Sequence, residues 1–349
     1  MNDINDEEEI IRQRMSNIYG EEKIKKIKEY IVKNYYAKDF INPSFYLVTS
    51  LLLMFLCLYI IHISKGYNAF LILILALLIM RLFMIFHDMC HRSYFPSNER
   101  ETKTKGLNFK IARLIDFLCM FQAESWYNLH SAHHHAHGNL NLVDNTRTVY
   151  TTTEYNKLTE KEKYIYNTVR HPLIFFLIAP IKIYWVSRIM YLDVFYFLKY
   201  IIFLAILFVI GSYKLLFSFL IAQYVAGILG LMLFHLQHQV NVGYWKKIDE
   251  NDKLSKDNAE LMGSSVLKIP FFLKFFTNGI EYHNVHHLDP GIPSYNTRRC
   301  YEDLVLKQLL DDTQVPYKQS LKSLFHTIYN EDKKKYESST FFQNIGLQG

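Results

Sequence analysis

The chain has 349 residues, 50% of them hydrophobic and 16% aromatic, with a formal net charge of +6. An apolar half beside substantial polar portions is the balance of a multi-span membrane protein carrying a soluble cap. The charge is modest and spread rather than blocked, which argues against a nucleic-acid partner and suits a membrane surface facing the cytoplasm.

Residues 1–44 are polar. Their acidic opening, with Asp3, Asp6, Glu7, Glu8 and Glu9, is not that of a secretory signal peptide, so the first spans are expected to do the targeting. Ile24, Ile27, Ile31 and Tyr35 recur at helical spacing among lysines, which predicts an amphipathic helix lying on the membrane. Residues 45–63 and 69–86 are each close to the roughly 20 apolar residues that cross a bilayer. Arg81 falls late in the second span and is expected to snorkel toward the side where His87 emerges.

Residues 90–170 are largely polar and too long for a loop, so they form half of the cap. Residues 173–185 are apolar but hold Pro180 and Lys182, which predicts a segment dipping into the membrane rather than crossing it. Residues 194–210 and 215–234 then make a second hairpin, with Gly227 and Gly230 permitting close helix approach. Residues 241–349 complete the cap, the part from 309 onward being a polar tail.

The expected fold is therefore an all-α membrane protein of about four transmembrane helices under a helical cap, with the functional domain over 45–308. Four spans put both ends and every histidine cluster on one side. The outer connections carry only Lys65 and Lys214, so that side is predicted to be cytoplasmic. Cys57, Cys90, Cys119 and Cys300 show no paired spacing and are expected as free thiols.

The histidines carry the chemistry. His130, His133 and His134, and again His283, His286 and His287, stand at i, i+3 and i+4, which puts three imidazoles on one helix face. His87 and His91 repeat the i, i+4 part, and His238 follows the last apolar run. Of 15 histidines, His135, His137 and His235 adjoin these clusters and only His62, His171 and His326 lie apart from them. Each cluster lies at the edge of an apolar segment.

Nine imidazoles exceed what one tetrahedral zinc uses, whereas two metals of five or six coordination use all of them. Nitrogen-rich, carboxylate-poor ligation at a membrane face favours iron over zinc, because zinc has no redox function. A purely structural or pH-sensing histidine array is the alternative. Asp88 is placed to fix the tautomer of His87.

His87-Asp88-Met89-Cys90-His91, His130-Ser131-Ala132-His133-His134 and His283-Asn284-Val285-His286-His287 resemble the three histidine boxes of integral-membrane fatty acid desaturases. Trp126, Gly138-Asn139-Leu140, Gln237-His238-Gln239, Gly263-Ser264-Ser265 and Pro293-Ser294-Tyr295-Asn296 extend the likeness toward the acyl-lipid branch. The spacing of His87 and His91, and a histidine rather than glutamine at position 283, resemble methyl-end or internal desaturases.

The resemblance implies oxygen-dependent insertion of a cis double bond into acyl chains of membrane lipids. It implies two non-haem irons, O2 as co-substrate, and an external electron carrier with its reductase, ferredoxin or cytochrome b5. Lys246, Lys247, Arg298 and Arg299 lie near the boxes in sequence and suit either an acidic carrier or lipid phosphates. The expected ligands are His87, His91, His130, His133, His134, His238, His283, His286 and His287, with no catalytic group beyond them. Asp88, His135, His137, Asp144 and His235 are candidates to support those ligands; Asp144 would replace the acidic residue that the family often places where Asn141 stands. The setting would be the endoplasmic reticulum in a eukaryote or virus, or the inner membrane in a bacterium. The rivals are a lipid or carotenoid hydroxylase or ketolase using the same metals and, from another class, a membrane metal-binding or transport protein. Transport would place polar ligands within the spans, which are mostly apolar here.

Overall fold

The computed structural model describes residues 19–64, 68–97, 104–119, 121–142, 149–186, 193–239, 245–249, 251–344 and 346. Three of its helices are long and apolar enough to cross a membrane: α2 (Ile41–Ile63), α3 (Ala69–Cys90) and α8 (Val194–His238). Asn68 starts α3 by accepting from the backbone N–H groups of Phe70 and Leu71, and Asp193 starts α8 by accepting from that of Tyr196.

The 45 residues of α8 are two limbs. Ser212 has φ 60° and ψ −174°, and there the chain doubles back. Tyr200 Oη donates to Gln223 Oε1 at 2.8 Å, although 23 residues of straight helix would separate them by about 34 Å. Phe203 and Phe219 likewise meet with ring centroids 5.1 Å apart. At the bend a side chain on Gly211 would run into Leu215, so the sharp reversal depends on glycine there. The expected second hairpin is thus present, with its turn at Ser212.

α3 is the central helix. Leu75, Ile79, Leu82 and Phe86 are buried against Met54, Leu58 and Ile61 of α2 and Phe219, Ala222 and Ala226 of α8. The outward faces carry exposed Leu52, Phe55, Tyr59, Ile202 and Val209, the surface expected of helices solvated by lipid. Arg81 does not snorkel. It is 3% exposed; its Nε donates to Ser50 Oγ at 2.9 Å, its Nη1 donates to the Phe275 carbonyl, and its guanidinium lies over the Phe275 ring. With no water at that depth, the protein supplies the acceptors.

The cap is built from α4 (Leu107–Ile115), α5 (Ala123–Ala136), α6 (Glu160–Arg170), α7 (Pro172–Pro180), α9 (Lys253–Met262), α10 (His283–Leu288) and α11 (Ser294–Leu306). Helix α7 continues into a π-helical turn at Ile181–Val186, where Pro180 cannot donate to the helical ladder. The N-terminal helix α1 (Glu21–Tyr35) behaves differently from expectation. Its Ile24, Ile27 and Ile31 pack on Val285, Leu288, Tyr301 and Leu304 of the cap instead of on a membrane. Burying each isoleucine stabilises that contact by about 1.5–3 kcal/mol. Tyr19 adds two bonds, from its N–H to Asn258 and from its hydroxyl to Asp311.

The stretch beyond 309 is also part of the cap. β2 (Val266–Lys268) pairs in parallel with β3 (Gln314–Pro316), and β1 (Tyr150–Thr151) with β4 (Ile328–Asn330), which β5 (Lys335–Glu337) extends antiparallel. These short strands stitch the chain end between the two halves of the cap. The four cysteines are buried and form no disulfide with one another.

Candidate metal centre

Four elements converge where α3 and α8 end. α3 brings His87 and ends at His91; α5 brings His130, His133 and His134; α8 ends at His238; α10 brings His283, His286 and His287. The i, i+3, i+4 spacing works as expected on α5 and α10 because both are regular helices where the boxes lie.

The ring nitrogens form two groups. In the first, His130 Nε2 lies 2.8 Å from His87 Nε2 and 3.2 Å from His134 Nε2, and His91 and His286 complete a cluster with His87 and His130. In the second, His238 Nε2 lies 3.3 Å from His133 Nε2 and 2.9 Å from His283 Nε2, which is 3.1 Å from His287 Nε2. All nine histidines named from the sequence are thus brought together, five beside four.

The donor set fits metal cations. An imidazole nitrogen holds either one proton or one lone pair, so His238 and His283, each with two nitrogen neighbours at Nε2, are not satisfied by hydrogen bonds alone. Both ring nitrogens of buried His286, and Nε2 of His91, have no hydrogen-bond partner. Burial first, and neighbouring imidazoles second, hold His130, His134, His283, His286 and His287 well below the usual histidine range. They are neutral, the form that ligates.

Two carboxylates hold the rings from behind. His87 Nδ1 meets Asp88 Oδ1 at 3.2 Å, while the other Asp88 oxygen accepts from the Ser294 backbone N–H at 2.6 Å. His287 Nδ1 lies 2.9 Å from Glu260 Oε2, a residue that sequence spacing does not mark. A proton on each Nδ1 leaves the Nε2 lone pair facing the cluster. Lys256 Nζ holds the second Glu260 oxygen at 2.8 Å. Burial pushes the Glu260 carboxyl up to about 7, against the pull of Lys256.

The remaining candidates separate. His137 is buried and groups with His133 and His238. His135 is exposed, on the other side of α5, and is not a support. His235 turns away from the site as well: its Nε2 donates to the Ser323 carbonyl at 2.9 Å because the C-terminal segment passes there. Asp144 lies outside the described residues; among those that are described, Glu260 Oε2 lies 3.9 Å from His134 Nδ1 of the second box. His326, apart from the clusters in sequence, is buried, with Nδ1 3.3 Å from the Gln239 carbonyl.

Beside the histidines lies an apolar cavity of about 370 Å³. Phe83, Phe121, Trp126, Leu231 and Phe234 line it, and His87, His130 and His283 are part of its wall. Trp126 is stacked on His130 with centroids 4.8 Å apart.

Residues 66–320 match the sequence family described as fatty acid desaturase. The chain belongs to the fatty acid desaturase family. The match spans both cavity walls and every histidine of the two groups. This desaturase is 31% identical over 285 residues to a fatty acid desaturase of Bacillus subtilis (strain 168), covering 76% of this chain and 75% of that protein. It is 24% identical over 243 residues to the sn-1 oleoyl-lipid 12-desaturase of Picosynechococcus sp., covering 64% of each. It is an oxidoreductase of lipid metabolism with a histidine-rich site able to hold metal.

Proposed function

We propose that this desaturase introduces a cis double bond into acyl chains of membrane lipids at a pair of non-haem irons, with O2 as co-substrate and an external electron carrier. The observation that carries the proposal is the apolar cavity walled by His87, His130 and His283, which brings a hydrocarbon chain directly against the nitrogen groups. The likeness to an oleoyl-lipid desaturase supports a lipid-bound acyl substrate.

The nine histidines are the proposed ligands, His87, His91, His130, His134 and His286 to one ion and His133, His238, His283 and His287 to the other. Nitrogens bound at about 2.0–2.1 Å lie about 3.0 Å apart at right angles and about 3.4 Å apart in a tetrahedron. The Nε2 separations of 2.8–3.3 Å span these values and suit nitrogens that would share an ion, and nine donors for two ions would suit five- or six-coordination with positions left for oxygen. Bound iron would supply oxygen activation and removal of two hydrogens.

The chain does the positioning. Asp88 and Glu260 retain the Nδ1 protons and so fix the direction of each lone pair. Trp126 and Phe234 pack on the ligand rings and exclude water from the cavity side. The narrow apolar walls hold one pair of methylenes near the site, which separates a second hydrogen removal from hydroxylation. Lys246, Lys247, Arg298 and Arg299 are exposed and suit an acidic electron carrier. The distribution of basic residues supports a cap on the cytoplasmic side of a multi-pass protein.

The test is turnover of a saturated or monounsaturated acyl lipid under labelled oxygen with a competent electron donor. The expected product is an olefin lighter by two hydrogens, with the label in water. A hydroxy-lipid carrying the label would refute the reaction, and one zinc per chain in place of two irons would refute the metal assignment.

A further inference from the structure

Arg170 occupies an unusual place. It ends α6, whose sequence is polar, and stands two residues before the apolar helix α7. Val169 and Leu173 beside it are exposed at 51% and 68%. This is the junction of a water-facing and a lipid-facing segment, the level at which the ester and phosphate oxygens of a bilayer lie.

Two cavities meet there. Arg170 and Phe175 line the apolar cavity that reaches His87 and His130, and both also line a surface groove of about 700 Å³ with Asn141, Tyr150 and Tyr166. Among the described residues, Arg170 is the only cationic one in either lining. Its Nη1 is buried with no hydrogen-bond partner, and no carboxylate among the described residues pairs with it. The two glutamates of the groove, Glu154 and Glu162, are engaged in the capping boxes of their own helices. The guanidinium is instead held over the rings of Phe175 and Tyr166, at 4.9 Å and 5.6 Å from their centroids. One guanidinium donor, Nη1, is thus left buried and unpaired, which is costly, on a residue that lines both cavities.

We infer that Arg170, at the shared mouth of the apolar cavity and the surface groove, binds an oxygen of the polar end of the acyl lipid and sets how far the chain reaches toward the histidines. The shared chemistry is an ester carbonyl or a phosphate oxygen. Tyr166 and Phe175 fix the fork by stacking, so a lysine would be a poor replacement. The inference rests on the acyl-lipid reading above.

The experiment compares three probes with purified, donor-supplied desaturase: a diacyl phosphatidylglycerol, its ether-linked analogue lacking the carbonyls, and the matching diacylglycerol lacking the phosphate. One of the two altered lipids should raise KM about tenfold to a hundredfold, the range for a hydrogen bond to a charged group, and so name the oxygen. In Arg170→Gln that lipid discrimination should vanish, KM for the diacyl lipid should rise by the same factor, and the double bond should spread over neighbouring positions. Arg170→Lys should recover only part of it. Equal KM for all three lipids in the wild type would overturn the inference, and this comparison stands if the variants do not fold. Wild-type-like KM and bond position in a metal-loaded Arg170→Gln would overturn it too. No olefin from any lipid in the wild type would instead refute the acyl-lipid reading, and the inference with it.

Discussion

Removing the Glu260 side chain tests how the metal centre is supported. Its Oε2 is 2.9 Å from His287 Nδ1, and its other oxygen is 2.8 Å from Lys256 Nζ. The Lys256 side chain is 26% exposed and keeps the His134 carbonyl at 2.6 Å, so its share is small. The bond to His287 is the larger loss, because that imidazole is fully buried and no other acceptor faces its Nδ1 among the described residues. A charge-assisted bond contributes about 1.5–3 kcal/mol, which at about 1.4 kcal/mol per tenfold is about 10–150-fold in metal affinity. Glu260→Ala should therefore lose metal to a chelator at about a tenth or less of the wild-type concentration and lose olefin formation in parallel. Glu260→Gln keeps an acceptor for the Nδ1 proton and should fall between. The assay is metal content against chelator concentration on protein matched for folded yield. Wild-type retention of metal by Glu260→Ala would refute the supporting role.

Three further outcomes follow from the packing. Gly263→Ala places a Cβ 2.6 Å from both the Ala259 carbonyl and His137 Nε2, so it should cost about 1–3 kcal/mol and displace His137; an unchanged melting temperature and metal content would contradict this. Arg81→Met leaves the Ser50 hydroxyl and Phe275 carbonyl without their donor, at about 1–3 kcal/mol for each orphaned group; thermal melting in detergent should fall by several degrees, and no change would show that the guanidinium is dispensable. Ending the chain at Asp312 removes β3 from beside β2 and the Ser323 carbonyl from His235; the folded fraction by size exclusion should collapse, and a monodisperse truncated protein would show the segment to be an appendage.

What was legible in the sequence was local. The box histidines repeat every three or four residues, and the helices that carry them preserve that spacing as a common face. The spans showed in their apolar length, and the reversal near Ser212 in the interruption between two such runs. What was hidden is held by contacts far apart in the chain. Glu260 reaches His287 across 27 residues, and nothing in its own neighbourhood distinguishes it from a solvated helix carboxylate. His135 and His137 are two residues apart on the same motif, yet one faces solvent and the other the second nitrogen group, since α5 ends between them at Ala136. The stripe on α1 announced a buried face but not its partner: the same isoleucines would suit a lipid surface or, as here, Val285 and Leu304.

That partnership sets an order of events during synthesis. Tyr19 and α1 are complete early, but the surfaces they cover lie 239 to 292 residues later in the chain. At about 5–20 residues per second, the helix waits about 12 to 60 seconds for its seat to exist. Throughout that interval its isoleucine stripe has no protein to cover it. The last histidine box itself emerges only with the final quarter of the chain, so the two nitrogen groups can come together only in the nearly finished molecule, at about the time its first helix finds its seat.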